Sequence, residues 1–230
     1  GDYTTTVNWA NFWLNEGFTT YAERRILEEH RGEDAAAVSW AIGQNGLDES
    51  LKRFGAGSQL TKLRTEMKGI DPDEAFSEIP YEKGSRFLVL LERAAGRVKF
   101  DWFLRDYMKR FRFGSLTTEQ FLAFLEERLP GLAARVGAKA WLYEPGIPAD
   151  APTFHSKQID EVRKLAAGWV AGGRPAGVVA GWSPAVLQVY LQGLPREMDE
   201  AGLRWLDENL QLTNRGNYEI LVEWLTIACG

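Results

Sequence analysis

The chain has 230 residues, 45% of them hydrophobic and 26% charged, with a formal net charge of -5, the balance of a globular protein with a sizeable core. No apolar run approaches the ~20 residues of a membrane-spanning helix, and lysine and arginine are dispersed among glutamate and aspartate, which argues against both a membrane and a nucleic-acid partner. With Cys229 the only cysteine and His30 and His155 the only histidines, a disulfide framework, a thiolate metal site and an HExxH zinc motif are all excluded within this chain.

Apolar residues recur at helical spacing almost throughout, without the sustained alternation that marks strands, so the expected class is all-α. A first helix is predicted from Asn11 to His30, stopped by Arg31-Gly32, and a second from Asp34 to Phe54. The Gly55-Ala56-Gly57-Ser58 loop that follows is preceded by no strand, so a phosphate-binding role is not expected of it. Tyr81–Ala95 is a strongly apolar helix and Phe100–Phe111 an amphipathic one. Thr117 and Gln120 form a capping box for a helix over Thr118–Leu129, ended by Pro130-Gly131.

Three prolines between Tyr143 and Thr153 exclude a continuous helix and mark the domain boundary. Shorter helices are predicted beyond it over Ser156–Ala171, from Ser183 with Pro184 at the first helical position to Leu191, over Glu197–Asn209 and over Gly216–Cys229. Their pairing suggests a helical-repeat arrangement, although no regular sequence period establishes one.

Two segments carry chemistry. In the first, Trp9 to Glu23, the carboxylates of Glu16 and Glu23 lie seven residues apart on one face of an aromatic helix. Such carboxylates either line a solvated face and pair with Arg24 or Arg25, or are buried beside a compensating cation, of which a divalent metal is one candidate. In the second, Asp71-Pro72-Asp73-Glu74-Ala75-Phe76-Ser77-Glu78-Ile79-Pro80-Tyr81-Glu82-Lys83-Gly84, a tyrosine opens an apolar helix. It either ends a loop and packs, or presents its phenol to a reacting group.

Trp-x-x-Phe-Trp-Leu-Asn-Glu-Gly-Phe-Thr-x-Tyr-x-Glu is similar to the segment that follows HExxH in the gluzincin aminopeptidases, the aminopeptidase N and leukotriene-A(4) hydrolase family. Pro-Tyr-Glu-Lys-Gly resembles that family's tyrosine motif. The resemblance implies that Glu16 is the third protein ligand of a catalytic zinc, that Glu23 orients a zinc-bound histidine from behind, and that Tyr81 donates a hydrogen bond to the oxyanion of a tetrahedral intermediate. Asp73 matches an acidic position linked to the epoxide-hydrolase activity of the leukotriene-hydrolase branch, to which Ala140–Pro148 is also similar, and Phe76 stands where that branch carries a second tyrosine; the resemblance makes both candidate substrate-binding residues. Phe76 lacks the hydroxyl that this branch carries there, which disfavours epoxide hydrolysis.

The fold so implied is the helical lobe of a thermolysin-like catalytic domain over residues 1–145, a proline-rich linker over 146–154 and part of a C-terminal helical domain over 155–230. The expected activity is that of a zinc aminopeptidase acting on peptides, to which this chain contributes the third ligand and the tyrosine. Since HExxH is absent, the chain alone is expected to bind no zinc and to be inactive, and an exposed lobe surface could drive self-association. The alternative is a non-catalytic helical module that binds peptides or a partner. The chain opens on polar and aromatic residues as if cut from a longer protein, so the compartment is unread, with the cytoplasm favoured.

Overall fold

The computed structural model describes residues 5–66, 69, 71, 75–179 and 181–229; Asp73 lies outside them. Among the described residues the architecture is helical, with one parallel pair of two-residue strands, β1 (Thr5–Thr6) and β2 (Ser115–Leu116). That pair is too short to leave an alternating pattern in the sequence. It is closed by Thr5 N–H to the Gly114 carbonyl and Val7 N–H to the Leu116 carbonyl, both at 3.1 Å. No described helix is long and apolar enough to cross a membrane. By contacts the chain divides into two compact units, residues 1–26 with 46–153 and residues 27–45 with 154–230.

Two long helices open the chain, α1 (Trp13–Arg31) and α2 (Glu33–Phe54). Each is stopped by a glycine with positive φ, Gly32 and Gly55, as left-handed caps favour. The Gly55 N–H bonds the Leu51 carbonyl at 2.9 Å, so the glycine loop sits at the carbonyl end of α2. There the helix dipole disfavours an anion.

In the first unit a π-helical turn (Ile79–Lys83) runs into α3 (Gly84–Ala95), followed by α4 (Arg97–Phe111), α5 (Thr118–Arg128), α6 (Leu132–Arg135) and α7 (Ala138–Tyr143). The apolar helix predicted from Tyr81 therefore starts two residues earlier, in a wider turn with Pro80 near its beginning, where a missing N–H costs nothing. The Thr117–Gln120 capping box forms as read, with reciprocal bonds of 3.2 and 2.9 Å.

Trp13, fully buried, organises this unit's core. Its ring meets Phe87 and Phe121 edge-on at 5.8 and 5.4 Å, and Phe18 stacks on Tyr107. The indole N–H donates to Thr118 Oγ1 at 3.0 Å, and Thr118 donates through both its hydroxyl and its N–H to Asn11 Oδ1 at 2.9 and 2.8 Å. Burying these polar groups is affordable because each has a partner. The start of α1 is thereby locked to the start of α5.

The second unit places α8 (Lys157–Ala167), α9 (Ala176–Val179), α10 (Pro184–Gln192), α11 (Glu200–Leu210) and α12 (Tyr218–Ala228) with residues 27–45. Its core joins Val38 and Ala41 to Ile159, Leu187, Tyr190 and Leu206, and Trp40 stacks on Phe154 at 3.8 Å. Four helices start on side-chain caps, Ser156, Ser183, Asp199 and Asn217, each accepting from an N–H two or three residues inside the helix. The last two helices start later than the expected Glu197 and Gly216, at Asp199 and Asn217, whose side chains accept the N–H of Gly202 and Ile220 as N-caps do.

Candidate active site

The two chemistry-bearing segments meet through a pair of glycines. A Cβ built on Gly17 would lie 2.9 Å from both the carbonyl carbon and the Cα of Gly84, and one on Gly84 would lie 3.0 Å from the Gly17 Cα. Helix α1 and the start of α3 thus touch backbone to backbone, which only glycine at both positions allows. Glu16 precedes one glycine and Tyr81 lies in the turn before the other, so this crossing is what brings the carboxylate to the phenol.

A buried charge cluster fixes the same crossing. Glu82 accepts two bonds from Arg24, at 2.8 and 2.6 Å, and one from Arg86 at 2.5 Å; all three residues are at most 6% exposed. The fork of Arg24 matches the carboxylate bidentately, and its geometry sets the rotation of α1 relative to the turn. Arg25, next along α1, pairs with Asp101 on α4 at 2.5 Å. The turn is also held from α2, where Ser50 Oγ accepts the Glu78 N–H at 3.1 Å.

Tyr81 and Glu16 are both half-buried. Burial, and then the nearby carboxylates of Glu16 and Glu78, push the Tyr81 phenol above its ordinary pKa, with Glu16 also acting as a hydrogen-bond acceptor. The phenol therefore keeps its proton through the neutral range and is a donor. Phe12 and Phe76 stand edge-on to its ring at 6.1 and 6.3 Å. With Trp9, Leu63 and Pro80 these two phenylalanines line a small pocket that adjoins Tyr81 through their rings, and Phe76 is 52% exposed. Glu23 is exposed on α1, two turns beyond Glu16.

The donor chemistry of Glu16 suits a divalent cation. Among the described residues, however, no three or more histidine, cysteine, aspartate or glutamate side chains are grouped to hold a metal ion. A tetrahedral zinc site takes three protein ligands and water, so the residues present do not complete one and no chemical step is assigned through it. Two residues that hold this crossing, Glu82 and Arg86, escaped the sequence reading. Their signal was charged positions directly ahead of the apolar Phe87–Leu91 stretch that helical periodicity places inside.

A model of the peptidase family M1 domain matches residues 1–140, more than half of the chain. Leucine aminopeptidase 2 of Yarrowia lipolytica is 35% identical over 253 aligned positions, covering 99% of this chain and 39% of that protein. Leucine aminopeptidase 2 of Aspergillus niger is 42% identical over 175 positions, covering 74% of this chain and 28% of that protein. Among solved structures, yeast LTA4 hydrolase in complex with bestatin superposes with a TM-score of 0.86 at 30% identity, over 99% of this chain and 41% of that one. The chain thus spans about two fifths or less of the length of these relatives. On the matched domain, the identities and the shared helical fold, the chain belongs to peptidase family M1, of the aminopeptidase and leukotriene A4 hydrolase type.

Proposed function

We propose that this chain forms part of the active site of a zinc aminopeptidase that removes N-terminal residues from peptides. The observation that carries this reading is the protonated Tyr81 phenol held against the Glu16 carboxylate by the Gly17–Gly84 crossing. Glu16 serves as one ligand of a zinc whose other ligands lie outside this chain, and Glu23 supports one of them. Family membership supports the zinc and the peptide substrate. Tyr81 donates a hydrogen bond through its phenol O–H to the oxyanion that forms as a peptide carbonyl becomes tetrahedral, a bond stronger in the transition state than in the ground state. The 230 residues alone, offering one ligand where three are required, are inactive.

Tyr81→Phe in the protein extended through its HExxH segment tests this. It removes one hydroxyl, so zinc content should be unchanged while turnover of aminoacyl-arylamides falls by a factor on the order of 10²–10³, the usual loss for one oxyanion donor. Unchanged turnover would remove Tyr81 from the mechanism. Phe76 brings no hydroxyl to the pocket, so epoxide hydrolysis is not part of the proposal.

A further inference from the structure

Lys83 is completely buried and bonds neutral main-chain carbonyls. Its amine donates to the Thr61 carbonyl at 3.0 Å and to the Glu144 carbonyl at 2.9 Å. The two acceptors belong to separate loops, and those loops are laced together. Thr61, also fully buried, donates its hydroxyl to the Ser58 carbonyl at 2.7 Å and accepts the Gly146 N–H at 2.8 Å, while the Arg64 N–H bonds the Leu142 carbonyl at 2.8 Å. Gly146, at φ +73°, has its would-be Cβ 3.2 Å from the Ala56 carbonyl, so the loops are in close contact. Lys83 fastens this pair of loops to the turn that carries Tyr81.

The first of these loops lines the same pocket as Phe12 and Phe76, through Leu60, Lys62, Leu63 and Thr65. We propose that Lys83 is a positioning residue that sets the width of this pocket beside Tyr81, and so the size of substrate side chain accepted there. The substrate clause rests on the aminopeptidase reading; the fastening of the loops does not. Two N–H bonds to two carbonyls are all that a neutral amine need give, so the fastening does not require a buried ammonium. Burial pushes the Lys83 amine down to about 7, against the opposing pull of the Glu144 carboxylate and with a further push from Lys62.

Lys83→Met keeps the volume and removes both donors. In the 230-residue chain, amide hydrogen exchange should quicken about tenfold over residues 56–66 and 142–147, the size expected for two lost hydrogen bonds, with α4 and α5 unchanged. In the extended protein, the ratio of kcat/KM for a bulky aromatic substrate to that for an alanine substrate should shift about tenfold, through KM, while kcat for alanine stays within about twofold. Unchanged exchange in a folded variant, or an unchanged substrate ratio, overturns the proposal. If the variant loses its helical signal, the unsubstituted chain decides: the two loops must exchange together with the 79–83 turn, and independent exchange overturns the fastening. If the unsubstituted extended protein turns over neither substrate, the aminopeptidase reading fails and exchange alone judges Lys83.

Discussion

Gly17→Ala is the sharpest test of the crossing that builds the site, because two opposing effects of known size meet there. At an ordinary interior helix position, replacing glycine by alanine stabilises by roughly 1 kcal/mol through backbone entropy. Here the new methyl would stand 2.9 Å from two backbone atoms of Gly84 and 3.3 Å from the Pro80 carbonyl oxygen, whereas carbon atoms in contact prefer about 3.5 Å or more. The turn would have to retreat by about 0.6 Å, and no flexible side chain can absorb that movement. Glu82 is meanwhile gripped by Arg24 on α1 itself, so retreat also stretches buried ionic bonds. Overpacking of a rigid contact costs about 1–3 kcal/mol, and the upper end applies. The net expectation is destabilisation of about 1–2 kcal/mol, read as a lower urea midpoint with unchanged slope. Gly84→Ala should behave alike, and the double variant should lose less than the sum, since the first displacement opens space for the second methyl. A Gly17→Ala chain as stable as the parent, or more stable by the full helical gain, would show that the backbones do not touch and would remove the physical reason for pairing Glu16 with Tyr81.

Glu82→Gln takes away the negative charge that faces both Arg24 and Arg86, and removing one member of a buried ionic cluster should cost about 3–5 kcal/mol by denaturant melts; a loss under about 1 kcal/mol would mean that water reaches the cluster. Lys83 gives a pH signature with a definite sign. Its folded pKa is lowered from 10.5 to about 7, so between those values the unfolded chain binds the extra proton and stability rises with pH, by no more than about 1.4 kcal/mol per unit. Below pH 7 both states hold the proton and the slope vanishes. Melts of the parent and of Lys83→Met between pH 6 and 9 check this, and parallel curves would refute it.

The glycines show what kind of information each level holds. Asn-Glu-Gly and Tyr-Glu-Lys-Gly were legible as motifs, and the carboxylate and the tyrosine could be named from them, but nothing local states that Gly17 and Gly84 exist for each other. Similarly, the sequence allowed Arg24 and Arg25 as partners of Glu16 or Glu23. The fold gives Arg24 to Glu82, 58 residues away, and Arg25 to Asp101, because charge pairing is decided by which helices cross and not by proximity along one of them. Lys83 stood in the Pro-Tyr-Glu-Lys-Gly motif with no role assigned; its burial depends on two loops that carry no periodicity at all.

What the sequence by itself determined is therefore the short-range part: helices from apolar period, their ends from Thr117, Ser183 and positive-φ glycines, the proline-rich break after Tyr143, and the family from two motifs. Backbone entropy, capping and side-chain periodicity act over a few residues, so they are written locally. Only the tertiary structure decided that residues 27–45 share a core with those after 153, that the Tyr81 turn is π-helical, and that a buried lysine ties it to the pocket wall. Apolar faces are interchangeable as hydrophobic surface, so a sequence states that a face will be buried without stating against what; shape and polar satisfaction in the assembled core make that choice.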